Sequence, residues 1–97
     1  MPSAVPGVIL TGQLVCTNDE EAVIVARCLP RHVQLTRAEP GCISFVVRRI
    51  GSLIWQVDER FVDAKAFESH QKRSAVSDWG RATVGIERRY TIEADPA

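Results

Sequence analysis

The sequence carries no excess of either charge. Twelve Lys and Arg are matched by twelve Asp and Glu, and the basic residues are scattered in pairs such as Arg48–Arg49, Lys72–Arg73 and Arg88–Arg89. That removes the main affinity term for nucleic acid, so no nucleic-acid partner is expected. Long apolar runs are absent too. The stretch Val8–Leu10 near the N-terminus is far too short for a secretion-signal core or a membrane span. Neither export nor membrane insertion is expected, and the expected place is the cytoplasm. Cysteine is sparse and widely spaced, at Cys16, Cys28 and Cys42. An odd count without close spacing argues against a disulfide framework and against structural zinc, leaving small buried thiols. The histidines are His32 and His70 alone, which cannot make a metal site by themselves. His32, just past Pro30, is expected at the surface. No glycine-rich phosphate loop and no Ser-His-Asp pattern is present.

What is there reads as one globular domain. The chain has 97 residues, 45% of them hydrophobic, so disorder is not expected and a single thin core is. Residues 1–6 hold two prolines and read as a flexible leader. The domain is expected over residues 7–92, with a frayed polar tail at 93–97.

Gly7 to Thr17 is β-branched and apolar, as a buried strand requires. Gly12 within it weakens the strand or admits a ligand or second backbone. A helix begins at Thr17 or Asn18, since Thr17 with Glu20 and Asn18 with Glu21 both fit a capping box. Ala22, Val25, Ala26, Leu29 and Val33 give it an apolar stripe. Pro30 must delete the bond to Ala26, predicting a kink or a break. Glu39-Pro40-Gly41 stops the helix. Cys42–Ile50 forms the second strand, with Ile43, Phe45 and Val47 on one face. A two-residue Gly51-Ser52 turn leads into Leu53–Phe61, whose apolar face is Leu53, Trp55, Val57, Glu59 and Phe61. Asp63 caps a second helix in which Phe67 and His70 share a face. A short helical turn over 74–81 carries Val76 and Trp79, and a last strand covers Thr83–Ile92 with Ile86, Arg88 and Tyr90 on one face.

The order β-α-β-β-α-β is an α+β, ferredoxin-like unit with both helices on one face of the sheet. No element remains to cover the other face. A second copy packed sheet to sheet is the simplest cover, so a homodimer is expected.

Certain residues carry a resemblance. Ala38-Glu39-Pro40-Gly41-Cys42 closes the first helix, Glu59-Arg60-Phe61 ends the third strand, and Asp63–His70 follows on a helix. In this order and spacing the chain resembles the antibiotic-biosynthesis-monooxygenase family, over about Gly7 to Ile92. The resemblance implies a dimeric α+β barrel with a pocket between each sheet and its own helices. Several members oxidise phenolic or quinol-like aromatics with molecular oxygen, using neither metal nor flavin. The resemblance therefore implies no cofactor and a small aromatic or apolar molecule as partner. The protein supplies a base or hydrogen-bond donor, an apolar cavity and exclusion of water.

His70 matches the family's helix histidine and so would hold or deprotonate a hydroxyl. The alternative is a structural histidine bonded across the dimer or to a backbone carbonyl. Glu59 matches the strand acid, either catalytic or in a salt bridge with an arginine such as Arg88. Trp55, Phe61, Phe67 and Trp79 are candidates for the substrate-binding wall, with at least two of them plain core. Phe61 and Gly12 stand where haem-degrading relatives use Trp and Asn, so haem degradation is not expected. Asp58 replaces a tyrosine common beside the strand glutamate, and the Gly51-Ser52 turn is shorter than usual. The functional expectation is a cofactor-independent monooxygenase. The alternative is a non-catalytic dimeric module for a small ligand. A solvent-connected pocket of a few hundred Å³ containing His70 would favour the enzyme; one filled by Trp55, Phe67 and Trp79 would favour the module.

Overall fold

The computed structural model describes residues 5–96, so most of the expected leader lies outside the described residues. The elements are β1 (Gly7–Val15), α1 (Asp19–Arg37), β2 (Cys42–Arg49), β3 (Ile54–Phe61), α2 (Ala64–Ala75), α3 (Asp78–Ala82) and β4 (Glu87–Asp95). The four strands form one antiparallel sheet in the order β2-β3-β1-β4. This is the expected ferredoxin-like βαββαβ fold, with α3 added before the last strand. No helix among the described residues is long and apolar enough to cross a membrane.

Both long helices begin where a polar side chain meets the unpaired amides of the first turn. Asn18, not Thr17, is the cap of α1: its side chain accepts from the Glu21 amide at 2.9 Å. Glu21 in turn accepts from the Thr17 amide at 2.7 Å, which closes the helix start from both sides. Asp63 caps α2 by accepting from the Ala66 amide at 2.7 Å. Of the kink or break expected at Pro30, the break does not occur: α1 runs unbroken through it. Pro30 and Ala26 are both exposed, so the carbonyl that loses its helical bond is open to solvent.

Three strand details differ from the sequence reading. Ile43 does not share a face with Phe45, because β2 bulges between Cys42 and Ser44 and turns Ile43 to solvent. The β2–β3 connection spans Ile50–Leu53 rather than Gly51-Ser52 alone, with Ile50 donating to the Ile54 carbonyl at 2.9 Å. Arg49 braces this loop by donating to the carbonyls of Gly51 and Ser52. β4 starts and ends later than expected. Its last residue, Asp95, pairs with Gly7 in register and bonds Arg60 at 2.6 Å, so residues 93–95 are strand and not loose tail.

Gly12 and Gly41 are among the glycines required by close approach. Gly12 has φ +154°, and a Cβ there would lie 2.1 Å from the Arg89 carbonyl. The second backbone admitted by Gly12 is therefore β4. A Cβ on Gly41 would sit 2.2 Å from the Ala66 Cβ, so the link from α1 to β2 passes against α2 only because the side chain is absent.

The core lies between the sheet and the helices, where Leu10, Leu14, Val25, Trp55 and Val57 are all at most 3% exposed. The other sheet face presents Ile9, Val15, Val46 and Ile54 among polar residues, and none of the described elements covers it. Gly41→Ala should destabilise the domain by about 2 kcal/mol through this overpacking. Urea unfolding measures it, and adding Ala66→Gly should recover part of the loss.

Candidate active site

The polar residues of this core converge at one place, and helical periodicity explains how. His70 and Arg73 lie one turn apart on α2, so both side chains reach the same neighbour. That neighbour is Glu39, just past α1. Its Oε1 lies 2.8 Å from His70 Nδ1, and its Oε2 accepts from Arg73 Nε at 2.7 Å. Arg73 also donates to Thr36 Oγ1 at 3.0 Å, and Thr36 donates to the His32 carbonyl at 2.7 Å. A carboxylate so paired with a guanidinium is an acceptor, which places the proton of a neutral His70 on Nδ1. Nε2 is then left with a free lone pair.

Nε2 points towards β3. Glu59 Oε1 is 3.8 Å away, too far for a hydrogen bond. Glu59 is 6% exposed, and that oxygen has no hydrogen-bond partner. Burial pushes its carboxyl up to about 7; the negative charge of Glu39 adds to this and Arg88 opposes it. Burial also lowers the His70 pKa, with the Glu39 hydrogen bond pulling the other way. Near neutral pH the pair is therefore closer to a carboxylic acid beside a neutral imidazole than to an ion pair.

Between the sheet and the helices lies a cavity of about 50 Å³, bordered by Glu59, His70, His32, Trp79, Arg88 and Tyr90. Its size suits a few water molecules or one molecule of oxygen, not an aromatic ring. Burial raises the Tyr90 hydroxyl to about 12, so it stays protonated.

His32 corrects an expectation. It is not on the surface but 4% exposed, stacked on Trp79 at 4.8 Å between ring centroids and edge-on to Phe45 at 5.4 Å. Its Nδ1 has no partner. Burial, reinforced by His70, Arg73 and Arg88, holds its pKa down at about 3. Arg88 does not pair with Glu59; it donates to the carbonyls of Thr83 and Ile86 and to Thr83 Oγ1, closing the turn before β4.

The expected wall residues separate. Only Trp79 of the four borders the cavity. Trp55 is core beneath the Arg49 guanidinium, 4.6 Å from its ring centroid. Phe61 packs 5.0 Å from the His70 ring, and Phe67 packs edge-on against Phe61, so Phe67 supports His70 from behind and does not border the cavity. Val76, one turn before Trp79, is exposed. The residues that sequence reasoning missed are Glu39, Arg73, His32 and Tyr90. Among the described residues, no group of three or more His, Cys, Asp or Glu is arranged to hold a metal.

A family model described as antibiotic biosynthesis monooxygenase matches residues 7–82. The chain belongs to the antibiotic biosynthesis monooxygenase family. Solved structures share its fold. SnoaB of Streptomyces nogalater, a cofactor-independent oxygenase, superposes with a TM-score of 0.75 at 10% identity over 92% of each chain. A candidate antibiotic biosynthesis monooxygenase of Deinococcus radiodurans gives 0.69 at 21% identity over 89% of each chain. Rv0793 of Mycobacterium tuberculosis gives 0.71 at 16% identity, covering 91% of this chain and 93% of that one. No curated protein sequence matches this chain. In this member of the antibiotic biosynthesis monooxygenase family, the helix histidine and strand glutamate do meet at a cavity.

The raised pKa of Glu59 has a stability consequence with a definite sign. Folding favours its protonated form, so the benefit is full below 4.5 and is lost as pH rises through about 7. Glu59→Gln should gain stability relative to the parent across that window and then level off, by about 3 kcal/mol. His32 acts oppositely: its contribution is lost as pH falls from 6.5 towards 3. Urea midpoints of parent and Glu59→Gln between pH 4 and 8 check the first sign; a constant difference would contradict it.

Proposed function

We propose that this protein is a cofactor-independent monooxygenase that oxidises a small phenolic or quinol-like aromatic with molecular oxygen. The observation that carries the reading is His70: Glu39 holds its Nδ1 at 2.8 Å while Nε2 faces the cavity and the unpartnered Glu59 oxygen. A base held by a carboxylate and aimed into a small interior cavity is what removal of a phenolic proton requires.

In the proposed sequence, Nε2 takes the hydroxyl proton. The electron-rich oxide then passes one electron to oxygen, and the resulting radical and superoxide combine to form a carbon–oxygen bond. His70 returns its proton to the peroxide and next removes the ring proton. The O–O bond breaks, and Glu59 protonates the departing hydroxide. One oxygen atom leaves as water and the other becomes a quinone carbonyl. The proton on His70 then restores Glu59, relayed by the water just formed, since the 3.8 Å gap is too long for direct transfer.

The small volume of the cavity shared by His70 and Glu59, about 50 Å³, is the observation favouring a second reading, a non-catalytic module for a small apolar ligand. The open groove of about 390 Å³ that also borders His70 favours the enzyme. The unpartnered Glu59 oxygen speaks for the enzyme, since binding alone does not call for a buried acid of raised pKa. Support for a homodimer comes from Ile9, Val15, Val46 and Ile54 on the open sheet face, which a second copy would cover.

Oxygen uptake with a panel of quinols and anthrones tests the activity. His70→Ala should lower turnover about a hundredfold or more while the protein stays folded. Full activity in that variant would overturn the assignment. The rate should rise with pH as His70 loses its proton, below the ordinary histidine value, and fall again near 7 as Glu59 ionises. For the assembly, light scattering at micromolar concentration should give twice the chain mass, with an interface above about 1,000 Å². A monomer throughout would remove the sheet-to-sheet pairing.

A further inference from the structure

The cavity that His70 shares with Glu59 is too small for an aromatic ring. The open groove of about 390 Å³ that also borders His70 is lined by Glu39, Cys42 and Ser69 and not by Glu59, so a substrate that is to reach Glu59 needs another way in. Two of the cavity's wall residues point to where. His32 and Trp79 border the cavity, and the same two side chains border an outer groove of about 490 Å³ between α1 and α3. Their stacked rings, 4.8 Å apart and within 9° of parallel, are thus the partition between the two spaces.

The outer groove has a distinct chemistry. Arg27 and Arg31, one turn apart on α1, line it together with Arg81 of α3. The single acidic side chain on its wall is Asp78, which Arg81 bonds at 3.1 Å. In a chain whose charges cancel overall, this mouth carries three guanidinium groups against one carboxylate. Arg81 is partly committed, since it also donates to the Val76 carbonyl at 2.6 Å. Arg31 touches only the neutral Gln34 side chain, at 3.0 Å. Among the described residues, Arg27 and Arg31 therefore stand at the groove without a carboxylate within ion-pair distance. Guanidinium groups bind planar oxyanions in two-point fashion, and do so best where an apolar wall displaces water on one side. Here Leu35 and Trp79 supply that wall.

We propose that the groove between α1 and α3 is the mouth of the site and that Arg27 and Arg31 bind a carboxylate carried by the aromatic substrate. The His32–Trp79 stack moves aside to pass the ring, whose hydroxyl leads towards His70. The substrate class is then a hydroxyaromatic acid with its carboxylate remote from its hydroxyl. This specificity rests on the proposed activity for its meaning, but the binding itself does not depend on turnover.

A matched pair of probes separates the two. 6-Hydroxy-2-naphthoate and 2-naphthol share a ring system and a hydroxyl and differ by the carboxylate. Calorimetric titration under argon should show the acid binding the parent protein at least about tenfold more tightly, the advantage shrinking as salt is raised. Arg27→Gln/Arg31→Gln, both on the exposed surface, should bind the two probes equally. Trp79→Ala should speed association of the acid in stopped flow without abolishing its preference. His70→Ala should keep the preference. Equal binding of the probes to the parent, or an unchanged preference in the double arginine variant, would overturn the proposal. Preference for the acid with no oxygen uptake from any substrate would leave this site standing and remove the oxygenase reading. Oxygen uptake dependent on His70 without that preference would do the reverse.

Discussion

Glu39 is bonded to two side chains of α2 at once, and much of the site depends on that bifurcation. One carboxylate oxygen orients His70 and the other holds Arg73, so the end of α1, the start of β2 and the middle of α2 become one unit. The unit needs the chain after Glu39 to pass close against α2, which it does at Gly41. Arg73 then reaches on to Thr36, tying the last turn of α1 to the same unit. The Glu39-Pro40-Gly41 segment thus has two jobs. It stops a helix, and it brings an acid to a histidine 31 residues away.

The cost of this arrangement is concentrated. Among the described residues, the buried polar side-chain atoms without partners are His32 Nδ1, Glu59 Oε1 and Arg73 Nη1, all in or beside this cluster. Each unpaired buried group costs on the order of 1–3 kcal/mol in a domain whose whole stability is of order 10 kcal/mol. A domain that needed only to fold would do better with apolar side chains there. The aromatic residues around them limit the damage: Phe61, Phe45 and Trp79 pack on the two imidazoles and keep their rings in place.

The element order was readable because each element is locally consistent. The alternation Trp55, Val57, Glu59, Phe61 marks the inner face of β3 correctly, and Asp63 marks the start of α2. The site was readable in part. The pattern shared with a family singled out His70 and Glu59 as candidates, whereas Glu39 looked like a helix-stop residue because its partners are distant in sequence. His32 was misplaced because it follows Pro30. The buried positions of α1 are Ala22, Val25, His32 and Thr36, an even helical stripe that passes through a histidine and a threonine. Spacing alone would have put His32 inside; reading Pro30 as an interruption of the helix put it outside. Phe67 and Trp55 failed for another reason. Aromatic residues pack equally well as core or as pocket wall, and only the third dimension separates the two.

The sheet has two open edges, β2 and β4, and each is unsuited to receiving another strand. On β2 the bulge at Ile43 interrupts the row of backbone donors and acceptors, and Arg48 and Arg49 charge its far end. On β4 the sequence Glu87-Arg88-Arg89 opens the strand and Glu93 sits near its end. Edges blunted by a bulge and by charge resist the side-by-side strand addition that begins fibrous aggregation. A small domain with aliphatic side chains open on one sheet face has particular need of that protection. It keeps self-association off the strand margins, where growth has no natural end.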